Sequence, residues 1–229
     1  LAQADASQLN LTLISRCSIS DVEVTHQLKL DPDQSVLRLS VSIGNLSDET
    51  VLFIDNCART LPLRDHLSAF EEVTGRWAYE FQTERRSISR AAYVRENWTG
   101  RSSHHMNPTL TLLEKATSTT HGDALGVHLG WSGNHQLRIE SLADGRRMLQ
   151  AGELWRPGEI ALAPGAHYTS PSLYLCHSSA GQNGLTRQWH QMIRREFIAS
   201  QNPVSTRRPV QLNTWEALYF GVDEPSVLA

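Results

Sequence analysis

Residues 22–30 alternate in character. Val22, Val24, His26, Leu28 and Leu30 share one parity, and Glu23, Thr25, Gln27 and Lys29 the other. A period of two places each set on its own face of a strand. Asp31-Pro32-Asp33-Gln34 supplies turn chemistry, and Leu37, Leu39, Val41 and Ile43 then alternate with Arg38, Ser40 and Ser42. The two runs predict an antiparallel hairpin with one wet face. Asn45–Glu49 reads as the next turn and Val51–Ile54 as the next strand.

The same grammar recurs downstream. Leu110–Leu113, Leu125–Leu129 and Gln136–Ile139 read as strands, Asp144-Gly145 as a hairpin turn, and Pro164-Gly165 as a turn before Ser172–Leu175. Short strands punctuated by turn residues predict a large antiparallel β-sandwich. The pattern changes after Gly181. Leu185, Trp189, Met192, Ile193 and Phe197 recur at spacings of three and four, which predicts a helix over about Asn183–Ile198 with Asn183 as its N-cap. Ser200–Arg208, containing Asn202-Pro203, reads as a polar linker, and Val210–Asn213 as a short strand.

Composition narrows the function classes. Of 229 residues, 40% are hydrophobic and 20% charged, enough for a substantial core, and the formal charge of −3 gives no footprint for nucleic acid or an anionic membrane. No apolar run reaches the roughly 18 residues that a spanning helix needs. The N-terminus lacks the pattern of a signal peptide and a starting Met, so the chain reads as an internal piece. Cys17, Cys57 and Cys176 are odd in number and without CxxC spacing. That argues against a disulfide framework or zinc site and for a reducing, cytoplasmic setting.

Several motifs carry candidate chemistry. Gly75–Phe81 (GRWAYEF) sets aromatic rings and an arginine beside a glycine. Trp77 could stack on a sugar, but spacing favours burial of Trp77 and Phe81 at a sandwich edge. Arg101–Pro108 contains His104-His105; neighbours in a strand face opposite ways, which favours structural hydrogen bonding over shared metal ligation. Gly130–His135 (GWSGNH) reads as a tight loop, presenting Trp131 to a ligand or capping a hairpin. Asn213-Thr214-Trp215-Glu216 follows the short strand directly; Trp215 is a sugar-stacking wall or a packed junction residue. No GxSxG, P-loop or GxGxxG occurs.

Taken in order, GRWAYEF, GRSSHHMNP, GWSGNH, GQNGLTRQWHQMIRREF and RPVQLNTWEALYF resemble the N-terminal half of glycoside hydrolase family 36, the bacterial α-galactosidases. The resemblance runs from about Val36 to the end, and NTWEALYF is its most specific part. It implies a β-supersandwich over 1–181, a connecting helix and linker over 182–208, and a (β/α)₈ barrel entered at 209–229 and cut within its first helix. It implies a parent enzyme that is a retaining exo-glycosidase acting on α-galactoside oligosaccharides such as melibiose and raffinose, with no cofactor or metal, working as a homo-oligomer. Retaining hydrolysis needs two carboxyl groups about 5–5.5 Å apart. In the family these are aspartates on later barrel strands, so no residue of this chain inherits a catalytic role. Trp215 matches the family's galactose-lining tryptophan, with Asn213 and Glu216 beside it in the motif. His135 and Trp189 depart from the family's usual aromatic and phenylalanine. Alternatives are a stand-alone carbohydrate-binding sandwich using Trp77, Trp98 and Trp131, an oligomerisation domain, or the same fold serving α-N-acetylgalactosaminides or galactosyl transfer.

Overall fold

A computed structural model describes residues 2–5, 9–31, 33, 35–198 and 210–228. Among these, sixteen strands follow in chain order. They are β1 (Ala2–Asp5), β2 (Asn10–Cys17), β3 (Val22–Asp31), β4 (Val36–Asn45), β5 (Leu52–Ile54), β6 (Arg59–Leu63), β7 (Leu67–Arg76) and β8 (Tyr79–Ser87). They continue with β9 (Tyr93–Asn97), β10 (Thr109–Glu114), β11 (Ala124–Leu129), β12 (His135–Ser141), β13 (Arg147–Glu153), β14 (Ile160–Leu162), β15 (His167–Thr169) and β16 (Leu173–Ser178).

All pairings between these strands are antiparallel. A ten-stranded sheet has the order β1-β2-β3-β4-β16-β11-β10-β7-β8, with β15 also on β4. A second sheet has the order β6-β13-β12-β9, and β14 pairs with β5. The hairpin expected from the opening alternation is β3–β4, in the register Val24↔Ile43, His26↔Val41, Leu28↔Leu39. Its turn is pinned by the Asp33 N–H donating to Asp31 Oδ1 at 2.9 Å.

Two cores follow from strand parity. Leu173 and Leu175 of β16, Val127 and Leu129 of β11, and Leu110 and Leu112 of β10 face Leu137, Ile139, Leu149 and Ala151 of the smaller sheet. The intervening residues Tyr174, Cys176 and Ala124 point the other way, with Leu113, onto helix α1 (Gly181–Met192) through Leu185, Met192 and Trp189. The large sheet is thus covered by a sheet on one face and a helix on the other. Gly126 makes the second contact possible: a Cβ there would lie 2.9–3.2 Å from Trp189 Nε1, Cζ2 and Cε2, so only a bare backbone lets the indole lie on the sheet.

Helix α1 begins two residues before the expected N-cap. Its first free N–H groups, on Gly181, Gln182 and Asn183, donate to the carbonyls of Gly122, Ser118 and Thr119. A loop backbone does the capping that the sequence assigned to Asn183, and Gly181 takes the left-handed φ of +64° that starts the turn. At the other end, α-helical bonding stops at Met192 and a π-helical stretch follows over Ile193–Ile198. The chain divides into two units there, Leu1–Met192 and Ile193–Ala229. The helix therefore stays with the sandwich, whereas the sequence placed a boundary at 181/182, because it buries Leu185 and Met192 against the sheet.

In the second unit Val210–Thr214 pairs with no strand among the described residues; a barrel strand needs flanking strands to satisfy its ladder. Helices α2 (Trp215–Leu218) and α3 (Glu224–Leu228) follow. The Ser200–Arg208 linker, Pro209 and Ala229 lie outside the described residues. No helix among the described residues is long and apolar enough to cross a membrane.

Candidate functional site

The three residues singled out by sequence are brought together locally. Asn213 Oδ1 accepts the Trp215 N–H at 3.0 Å, an Asx turn that bends the chain into α2. Ala217 and Leu218 then donate to the Thr214 carbonyl at 3.2 and 2.9 Å, and Tyr219 closes the turn by donating to Trp215 O at 2.9 Å. Tyr219 has a left-handed φ of 46°, which ends the helix.

This tight turn stacks aromatic residues on one another. The Trp215 ring meets Tyr219 at 5.5 Å with 71° between planes, and Phe220 at 5.1 Å with 84°. Edge-to-face packing of this kind fixes an indole without burying it, and Trp215 remains 49% exposed. A fixed, wetted indole is suited to the C–H face of a pyranose. The exposed Glu216 in the same turn can accept hydroxyl hydrogen bonds.

The sandwich motifs fall differently from expectation. Trp77 lies at the tip of the β7–β8 hairpin and is 82% exposed, and Tyr79 and Phe81 are exposed as well. Burial of Trp77 and Phe81 is thus overturned. The pairing of β7 with β10 ends at Glu71, so the hairpin beyond it has no strand partner on that side among the described residues. A register shift between Thr74 and Arg76, with left-handed Ala78 and Phe81, breaks the inward–outward alternation. The Arg76 guanidinium lies 5.9 Å over the Tyr79 ring.

His104 and His105 sit in a loop, not a strand, with ring centroids 4.1 Å apart. The His105 carbonyl accepts from Arg95 Nη2 at 3.2 Å, which is a structural role. Among the described residues no group of three His, Cys, Asp or Glu could hold a metal ion. The histidine loop and the GWSGNH loop lie side by side. Ser102 donates to the Ser132 carbonyl at 2.5 Å, and the Gly100 N–H to Asn134 Oδ1 at 2.8 Å. Trp131 folds back over Gly133, where a Cβ would come within 2.6 Å of its Nε1. Trp98 is held by Glu96 at 2.8 Å, with the Arg156 guanidinium 5.4 Å over its ring. Trp98 and Trp131 are both partly exposed, at 42% and 41%.

Beneath the loops lies a polar core that spacing did not reveal. Buried Glu72 pairs with Arg95 at 3.4 Å and Arg86 at 3.1 Å, and Tyr93 Oη donates to it. Burial, then this carboxylate, pushes the Tyr93 hydroxyl pKa up. His135 is wholly buried, with Nδ1 2.9 Å from the Gly133 carbonyl and Nε2 without a partner. A carbonyl only accepts, so Nδ1 carries the proton and Nε2 is bare. Burial holds the His135 pKa below the usual histidine range.

Comparison with known proteins places these features in a lineage. Residues 2–163 match the glycosyl hydrolase family 36 N-terminal domain, and residues 167–229 match melibiase. An α-galactosidase from Escherichia coli is 40% identical over 210 residues, which is 92% of this chain and 29% of that protein. The crystal structure of the α-galactosidase from Lactobacillus brevis superposes with a TM-score of 0.84 at 26% identity, over 100% of this chain and 31% of the other. An α-galactosidase from Geobacillus stearothermophilus in complex with stachyose shares the fold, with a TM-score of 0.82 at 24% identity over 96% of this chain and 30% of that one. The chain thus spans about 30% of the length of the relatives it matches.

Proposed function

The chain belongs to glycoside hydrolase family 36, and from that premise we propose that it is the N-terminal part of a retaining α-galactosidase, supplying the sandwich and one wall of the sugar site. The observation that carries this reading is the wetted indole of Trp215, pinned by Tyr219 and Phe220 in the motif that the resemblance places at the galactose subsite. Trp215 stacks on the sugar, Asn213 sets the turn that presents it, and Glu216 accepts from hydroxyls. The catalytic carboxylates come from outside this chain. The substrates are α-galactoside oligosaccharides of the raffinose and stachyose class, in keeping with the stachyose complex of the Geobacillus relative. The working enzyme is a cytoplasmic homo-oligomer. Neither a metal nor a cofactor enters this chemistry.

The test is a hybrid in which this chain replaces the matching segment of the E. coli relative. Hydrolysis of a chromogenic α-galactoside is expected to persist. Trp215→Ala in the hybrid is expected to lower kcat/KM by about 10- to 100-fold, equivalent to about 1.4–2.7 kcal/mol of transition-state stabilisation. A folded hybrid indifferent to Trp215→Ala contradicts the reading.

A further inference from the structure

Along β12, Gln136, Arg138 and Glu140 alternate with the core residues Leu137 and Ile139, so they project from the smaller sheet on the side away from the large one. Register sets them in rows across the strands. Glu96, Gln136 and Gly152 form one row, and Val94, Arg138, Gln150 and Thr60 the next. Three strand spacings of about 4.8 Å make this outer face about 14 Å wide.

The polar side chains on the face hold one another in place. Gln136 Nε2 donates to Glu96 Oε1 at 2.8 Å, and Trp98 Nε1 donates to Glu96 Oε2 at 2.8 Å. Arg138 Nε and Nη2 reach Glu140 Oε2 at 3.1 and 2.8 Å, and Gln150 Nε2 donates to Thr60 Oγ1 at 3.1 Å. These bonds leave the side-chain oxygens of Gln136 and Gln150, and Arg138 Nη1, without a hydrogen bond among the described residues. None of the three is a buried unpartnered atom, so all are open to solvent. Trp98 stands at the Glu96 end of its row, 42% exposed, with the Arg156 guanidinium 5.4 Å over its ring. At the other end of that row a Cβ on Gly152 would lie 2.8 Å from Ala58 Cα, so the chain entering β6 closes the face there.

Amide and guanidinium groups already fixed in a plane recognise hydroxyl groups at little ordering cost, and an indole beside them takes the C–H face of a pyranose. Charge decides between a neutral ligand and an ion. Glu96 and Glu140 are balanced by Arg138 and Arg156, and Arg138 is closed on Glu140, so neither an anion nor a cation finds an unmatched charge. We propose that the outer face of the smaller sheet binds a neutral oligosaccharide, one ring stacked on Trp98 and the next lying over Gln136, Arg138 and Gln150. It is a holding site in the Leu1–Met192 unit, and it does not rest on the Trp215 reading.

Each of the six tryptophans gives its own indole N–H resonance in a ¹⁵N-labelled chain, assigned with Trp98→Phe and its counterparts. Stachyose titrated into the 229-residue chain is expected to move the Trp98 resonance to saturation while Trp189 stays in place. The shift is expected to persist in Trp215→Ala, which separates this face from the candidate galactose subsite. Gln150→Ala is expected to raise the dissociation constant read at Trp98 by about 3- to 10-fold, the loss of one hydrogen bond. Sodium phosphate and choline chloride at the same concentrations are expected to leave the Trp98 resonance alone. A Trp98 resonance unmoved by stachyose, or a drift shared by all six, overturns the proposal. So does a Trp98 shift that vanishes in Trp215→Ala, keeps its affinity in Gln150→Ala, or follows phosphate equally well. The natural chain with stachyose and the two salts decides the matter even if a variant does not fold.

Discussion

Adding a side chain at Gly126 wedges the helix from the sheet, and the size of the effect follows from the distances. A Cβ at 126 meets the Trp189 indole at 2.9–3.2 Å, inside ordinary van der Waals contact. Gly126→Val overpacks this contact at a cost of about 1–3 kcal/mol. Trp189→Ala removes an indole that is only partly buried, and costs about 2–3 kcal/mol, below the range for a full core tryptophan. In the Trp189→Ala background the obstruction is gone. Valine at 126 is then expected to be neutral, or to stabilise by about 0.5–1 kcal/mol through the lost flexibility of a strand glycine. The coupling energy from the double-mutant cycle is therefore about 1–4 kcal/mol. Urea unfolding followed by far-ultraviolet circular dichroism measures it, and each kcal/mol also appears as about 2–4 °C in Tm for a unit of this size. Effects that add to within about 0.5 kcal/mol would refute the packing of Trp189 on Gly126.

Leu112 is wholly buried between the sheets, and Leu112→Ala is expected to cost about 2–5 kcal/mol, whereas Trp77→Ala at the exposed hairpin tip changes stability by about 0.5 kcal/mol or less; calorimetry of the two variants checks the contrast. The pH dependence follows from His128 and His135, both held by burial below the usual histidine range. Their unfolded forms bind protons first, so stability is full above about pH 6.5 and falls with acid towards the folded-state pKa, by at most about 1.4 kcal/mol per pH unit for each histidine. Glu153, raised by burial, acts in the opposite sense. The histidine term is therefore read as the difference between the natural chain and His135→Gln in urea midpoints from pH 7 to 5, and parallel curves would contradict it.

The sequence was legible where periodicity acts alone. The alternation of Val24, His26 and Leu28 against Leu39, Val41 and Ile43 gave a hairpin found in register. It was not legible where one contact over-rides the period. Asn183 holds an N-cap's place within its own segment, yet loop carbonyls 59–64 residues earlier in the chain satisfy the first helical donors. Trp77 and Phe81 looked buried because parity was carried through a bulge that reverses it. The Glu72–Arg95 pair joins distant strands and left no local signal. Arg59 shows only as a misfit in the run Arg59, Leu61, Leu63, and its burial emerges from the pairing of β6 with β13. At the candidate sugar site the motif itself pointed to Trp215, while its pinning by Tyr219 and Phe220 emerged from the turn geometry.

The most direct measurement of the central claim is turnover of p-nitrophenyl α-galactoside by the purified 229-residue chain. The proposed function puts the catalytic carboxylates outside this chain, so it predicts a rate equal to the buffer blank at every protein concentration. Hydrolysis that rises in proportion to the chain and survives repurification would contradict it.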